Sequence, residues 1–276
     1  MIARLTGAAL RGLLVALLVA TPSLVLPTVP ADTAQVVAFV AIACAILTTI
    51  EYGSSCPCLF EFREAAPFNR IRYSATLLVV TLISLVVRHH DAPTGFSALV
   101  TSIGYVVGGL FDFPYSPLRL ALSRPDTTEA QQVFEAIRAA MGVATLVYGG
   151  FLALFFAEIR RGRWPRAGSF NVWINLPTFD PTRGGDVVSR LDRDGKFNIL
   201  VGLALPLLVP LVLGADGGVI GGLAQSEPQA MVWTVTIWIG MPFSLFMRGL
   251  AMQRIAAMIE TRRSDSTPPQ AGLVPL

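Results

Sequence analysis

Charge is what this chain of 276 residues has least of: Asp, Glu, Lys and Arg together make up 14% of it, against about 25% in ordinary soluble domains. Histidine is nearly missing too, with only the adjacent pair His89 and His90 beside Asp91. No apolar segment contains one. That argues against a membrane b-type cytochrome, whose haem iron takes axial imidazoles from within helices. It also excludes a zinc protease with two histidines one turn apart on a helix. Neighbouring histidines in a loop are badly placed to hold one metal ion, so His89 and His90 read as loop residues. Three cysteines in so long a chain exclude a disulfide scaffold. Lysine occurs once, at Lys196, and every other cation is arginine.

What is present is apolar. Hydrophobic residues make up 53% of the chain, and its mean hydropathy is +0.62, which excludes disorder and points to a polytopic membrane protein. Arginine in place of lysine, with abundant Ala, Gly, Leu and Val, is the composition of a GC-rich bacterial genome. The expected location is therefore a bacterial inner membrane, since a helical rather than strand-like apolar pattern excludes an outer-membrane barrel.

A crossing helix needs about 20 mostly apolar residues. Seven segments qualify or nearly do: Leu5 to Leu26, Ala34 to Ile50, Tyr73 to Val87, Phe96 to Leu110, Ala139 to Ala157, Ile199 to Leu213 and Ala230 to Met247. The first is expected to be a retained anchor rather than a cleaved signal, because the stretch leading to Val29-Pro30-Ala31 is long and proline-rich. The expected fold class is thus all-α, a transmembrane bundle of six or seven spans. It forms one domain over residues 1–263, with an inner loop at 158–197 and a disordered tail at 264–276.

Cations accumulate on the cytoplasmic side, and here the two ends of the chain disagree if all seven segments cross. Arg4, Arg11, Arg63, Arg70 and Arg72 ask for an inner N-terminus, whereas the back half asks for an inner 158–197 loop and an inner C-terminus. Treating Phe96 to Leu122 as a hairpin that enters and leaves on the outer side removes the conflict. Both termini are then cytoplasmic, with 17 cations inside and 4 outside. That stretch also looks broken, with Gly95, Gly104, Gly108 and Gly109 followed by Asp112-Phe113-Pro114-Tyr115-Ser116-Pro117. Irregular backbone at membrane depth survives only against protein or a wet cavity. A seventh true crossing is the alternative.

Asp126-Thr127-Thr128-Glu129 resembles a capping box, and no proline follows until Pro165. A helix can run from Thr127 to about Gly162, longer than the bilayer core, so the Val133, Phe134 and Ile137 turn is expected to pack against the preceding hairpin. In the inner loop, Arg160, Arg161, Arg163 and Arg166 surround Trp164, the composition of a membrane-interface anchor. Phe170 to Leu176 reads as a short strand or interfacial stretch, Asp180-Pro181 as a helix-start signal, and Asp186 to Asp194 as a short amphipathic turn or two. Beyond Met247, Ala251, Ile255, Met258 and Ile259 form an apolar stripe suited to a membrane surface or a partner helix, the alternative being simply a long last helix with a solvated tip.

Candidate chemistry is thin. Cys56-Pro57-Cys58 places two thiols where a soft cation would need further ligands, and Cys44 lies several turns away, so a tight turn is the expected role. Asp192-Arg193-Asp194-Gly195 fails as a calcium loop because Arg190 and Val201 stand at ligand positions. Glu51, Asp112 and Glu158 sit at segment ends, leaving the spans almost free of ionisable groups, which weakens a proton-coupled transporter. Pro206 and Pro210 share one face of a span, with Pro242 in the next. Each proline frees a carbonyl one turn earlier, here those of Gly202 and Pro206. Gly104 with Gly108, and Gly218 with Gly222, have small-xxx-small spacing.

No catalytic set or cofactor site emerges. The expected role is an accessory, assembly or scaffold component of a larger membrane complex. Its partners are the lipid bilayer and other membrane proteins, a homo-oligomer being compatible, and no nucleic acid. The alternative is a small permease or channel using Asp112 with the Pro206 and Pro210 notch. A membrane-embedded enzyme comes third.

Overall fold

A computed structural model describes residues 2–55, 58–121, 127–165, 170–180, 182, 184–213 and 227–266. The described residues are helical with no strand. Six helices are long and apolar enough to cross a bilayer: α1 (Ile2–Val25), α2 (Ala31–Gly53), α3 (Phe68–Asp91), α6 (Thr128–Arg160), α8 (Val187–Leu213) and α9 (Pro228–Ser266). Between α3 and α6 lie the shorter α4 (Gly95–Gly108), a single 3-10 turn at Gly109–Phe111 and α5 (Pro117–Ala121). A further turn of helix, α7 (Val172–Asn175), sits between α6 and α8.

The long helices form a core of α3, α6, α8 and α9, to which α1 and α2 attach as a hairpin. The strongest packing is between α8 and α9 and between α1 and α2, while α2 touches little besides α1. Gly12 lets the backbones of α1 and α2 approach, because a side chain there would collide with the Thr49 hydroxyl and the Ala45 carbonyl. Pairing across α3 and α6 is antiparallel. Phe68 meets Phe155 with ring centroids 5.4 Å apart, Thr76 meets Tyr148 at 3.5 Å, and Val86 packs on Ala139 and Val143.

Most long helices begin before or run past the apolar segment read from sequence, α8 starting at Val187 and α9 continuing to Ser266, whereas α1 stops at Val25. The helix expected at Thr127 begins at Thr128 and runs to Arg160. Asp126 of its expected cap lies outside the described residues. The turn carrying Phe134 and Ile137 is buried, and Arg119 of α5 stacks on the Phe134 ring at 4.8 Å.

Several expectations need correction. Phe170 to Leu176 holds the helical turn α7, not a strand; Asn171 caps it, its side chain accepting from the Ile174 amide at 3.4 Å. Asp186 to Asp194 is not a separate turn but the start of α8, with Asp186 accepting from the Ser189 amide at 3.0 Å. The stripe on α9 is covered over its first half, whereas Met258 and Ile259 stay half-buried. Ala251 and Ile255 are buried in the same cluster as Leu176, Phe179 and Leu191, so the inner-loop elements cover that half. Helix α9 also continues through Ser264 to Ser266, and residues 267–276 lie outside the described residues.

The helix ends sort by charge. One end of the bundle gathers the start of α1, the end of α2, the start of α3, the end of α6 and the outer turns of α8 and α9; it is called the basic end below. Arg88, Arg119 and Arg138 lie at the far end. Arg88 donates to the Val25 carbonyl at 3.3 Å.

Candidate functional site

The basic end holds an extended polar assembly. The loop after α2 folds because Phe62 adopts a positive φ of 54° and its amide donates to the Asn175 carbonyl at 2.6 Å. This buries the Phe62 ring among Phe68 and Trp164 and turns Glu61 toward α9. There Arg248 grips the Glu61 carboxylate with two nitrogens, at 2.6 and 3.0 Å. Its third nitrogen donates to Asn198 Oδ1 of α8 at 2.9 Å, and Thr178 donates to Glu61 Oε1 at 2.7 Å. Glu61 and Arg248 retain 14% and 29% side-chain exposure, so water screens this pair only in part. The arrangement clamps the α2–α3 loop, α8 and α9 together.

Glu51 closes a second clamp. Its Oε1 accepts the backbone amides of Cys58 at 2.7 Å, Leu59 at 2.7 Å and Phe60 at 3.1 Å. Cys58 Sγ lies 3.5 Å from Oε2 of the same carboxylate. That neighbour pushes the Cys58 thiol up from its ordinary value, the opposite of what a metal ligand or nucleophile requires. Cys56 and Pro57 lie outside the described residues. Among the described residues no three His, Cys, Asp or Glu side chains gather where they could hold one ion.

Of the interface residues expected around Trp164, Arg160, Arg161 and Arg163 are exposed at the basic end, and Arg166 lies outside the described residues. Trp164 itself is a correction. It is fully buried, packed edge-on to Phe155 at 5.1 Å, with its indole donating to the Ala65 carbonyl at 3.0 Å. Burying such a ring removes on the order of 200 Å² from water, about 5 kcal/mol as an upper bound. The core, not the lipid interface, fixes this residue.

At the far end, Asp112 is closed off. Arg119 donates to one of its oxygens at 2.5 Å and Arg138 to the other at 3.2 Å, and the Arg138 guanidinium also lies over the Tyr105 ring at 4.1 Å. Gly104 and Gly108 do pack closely, since a side chain on either would overlap the backbone of Ala139 or Arg138 on α6. Gly218 and Gly222 lie outside the described residues. Beside this junction a groove is lined by His89, His90, Thr101, Tyr105, Gln132 and Glu135, among others.

One of the two carbonyls of the proline notch is engaged as well. The carbonyl freed by Pro210 is that of Pro206, and the indole of Trp238 on α9 donates to it at 3.3 Å. Helices α8 and α9 thus replace a lost intrahelical bond with an interhelical one.

Sequence reasoning missed Glu61, Arg248 and the Glu51 clamp. Glu61 and Arg248 stand 187 positions apart, and neither belongs to a motif. A signal was present for Glu51, an acid ending an apolar helix just before a turn rich in free amides. Comparison of the chain with family models, curated proteins and solved structures finds no match.

Proposed function

We propose that this protein is a non-catalytic accessory or scaffold component of a larger membrane assembly. One observation carries the proposal: the buried Glu51 and the half-buried Glu61 and Asp112 are each closed by several internal donors. Side chains so engaged tie helices and loops to one another through charge-assisted hydrogen bonds. Meanwhile α2 is left with Val36, Phe39, Val40, Ile46 and Ile50 exposed along its length, a surface for lipid or for helices of other proteins. Co-purification with other membrane proteins in mild detergent is the expected result. A lone monomer, with no crosslink from a photoreactive residue at Phe39, overturns the proposal.

The proposed setting is a bacterial inner membrane with the basic end cytoplasmic, which follows the cation distribution. Both termini then lie inside, and the segment from Gly95 to Ala121 is a hairpin that does not cross. Two contacts support this. Helix α4 starts at the far end, where Ser97 meets His89 at 2.9 Å. It is followed by Asp112, still paired with Arg138 near the same end. A single cysteine at Thr127, in a chain with Cys44, Cys56 and Cys58 replaced by serine, is expected to react only from outside. Reaction from inside alone overturns the hairpin.

A further inference from the structure

Around the last turn of α2 the chain gathers more positive charge than it neutralises. Arg4 of α1 and Arg63 of the α2–α3 loop both donate to the carbonyl oxygen of Ser54. Arg63 also reaches the Glu51 carbonyl at 2.8 Å and keeps only 6% side-chain exposure. Arg11, two turns along α1 from Arg4, lies over the Tyr52 ring at 4.8 Å. Arg72 of α3 lies within electrostatic reach of the Tyr52 hydroxyl.

The nearby acids are engaged elsewhere. The Glu51 carboxylate takes the three amides of the following loop, and Glu61 belongs to Arg248. Glu64 approaches Arg63 only at 3.8 Å, from a side chain that is 57% exposed. Among the described residues neither Arg4 nor Arg11 has a carboxylate partner. Two guanidinia sharing one carbonyl repel each other, the more so beside low-dielectric lipid, and an anion between them turns that repulsion into attraction. The same helix ends are apolar on their exposed surface. Leu5 reaches toward Gly53 and stays half exposed, and Leu47 and Ile50 of α2 are exposed too.

We propose that this is a seat for the phosphate headgroup of an anionic phospholipid. The phosphate bridges Arg4, Arg11 and Arg63, and the acyl chains run beside the exposed residues of α1 and α2. The proposal stands on the local charge and is independent of the accessory role.

Native mass spectrometry of the delipidated full chain in mild detergent tests it, with phosphatidylglycerol, phosphatidylcholine and inorganic phosphate as separate probes. Phosphatidylglycerol is expected to bind about thirtyfold more tightly than phosphatidylcholine, the scale set by two arginines near an anionic headgroup. The Arg4→Gln/Arg11→Gln variant changes two exposed side chains, and it is expected to lose that preference while keeping the wild-type melting temperature. Arg160→Gln/Arg161→Gln, at the same end of the bundle, is expected to keep it. Equal binding of the two lipids, loss of preference in both variants alike, or retention in the Arg4/Arg11 variant overturns the seat. Displacement of bound lipid by inorganic phosphate alone overturns the lipid as its occupant.

Discussion

The bond from Trp238 to the Pro206 carbonyl can be isolated by a double-mutant cycle, because the chain contains both the defect and its repair. Pro210 has no amide hydrogen, so the Pro206 carbonyl lacks its helical partner, and Trp238 supplies the replacement at 3.3 Å from across the α8–α9 interface. Trp238→Phe removes the donor and also leaves a void, so its total cost mixes two effects. Pro210→Ala restores the amide and allows the Pro206 carbonyl to be satisfied within α8. In that background Trp238→Phe still leaves the void but no longer orphans the carbonyl. The difference between the two Trp238→Phe costs is therefore the worth of the bond. Interhelical hydrogen bonds in membrane proteins average about 0.6 kcal/mol and reach about 1.7 kcal/mol. A long bond to a half-buried carbonyl without its helical partner belongs between these values, so a coupling of about 1 kcal/mol is expected, roughly fivefold in the folding equilibrium. Reversible unfolding in mixed detergent micelles, followed by tryptophan fluorescence and circular dichroism, measures all four corners. Strict additivity within about 0.3 kcal/mol refutes the bond as the repair of the proline defect.

Other expectations follow from the clamps. Glu61→Gln leaves Arg248 facing a neutral acceptor and should lower stability by about 2 kcal/mol, less than the roughly 3–5 kcal/mol of a fully buried pair because water reaches both side chains; Glu61→Gln with Arg248→Gln should recover part of the loss in the same unfolding assay. Gly142→Val forces its side chain into the Gly104 carbonyl, and the overpacking should cost about 1–3 kcal/mol and raise the reactivity of a cysteine at Ser102. Asp186 is held at about 2, below its ordinary 3.8, chiefly by the Arg263 guanidinium 2.5 Å away. The stabilisation from this acid is complete above its unfolded value and is lost as pH falls through about 2. Arg263→Gln should move the midpoint of the Asp186 carboxyl titration followed by NMR upward toward 3.8, and an unmoved midpoint removes Arg263 as the cause.

The membrane-crossing helices were legible because lipid imposes one rule on every residue of a span, and that rule is local. What lay beyond the lipid was harder to read. Trp164 among arginines has the composition of an interface anchor, yet the residues that bury it, Phe62, Phe68 and Phe155, come from separate parts of the chain. The stripe of Ala251 and Ile255 was visible as a stripe, but not its cover, which the loop around α7 and the start of α8 supply. Proline spacing located the freed carbonyl on α8 correctly, and only the packing of α9 disclosed that Trp238 fills it. Gly104 and Gly108 were legible as small residues at helical spacing, and α6 proved to be the neighbour they admit. Asp112 stood out for its place in a broken segment, but its two arginines, Arg119 and Arg138, are tertiary partners.

The pairing of α1 with α2 through Gly12 bears on how the chain is made. Among the six long helices these two come earliest in the sequence, so they can complete most of their mutual packing before the helices that follow are made. Helix α3 has to wait for α6 and α9, which are synthesised later and supply the surfaces that cover it. The front hairpin is therefore suited to enter the bilayer as a finished unit, while the four-helix core closes only when its last member arrives.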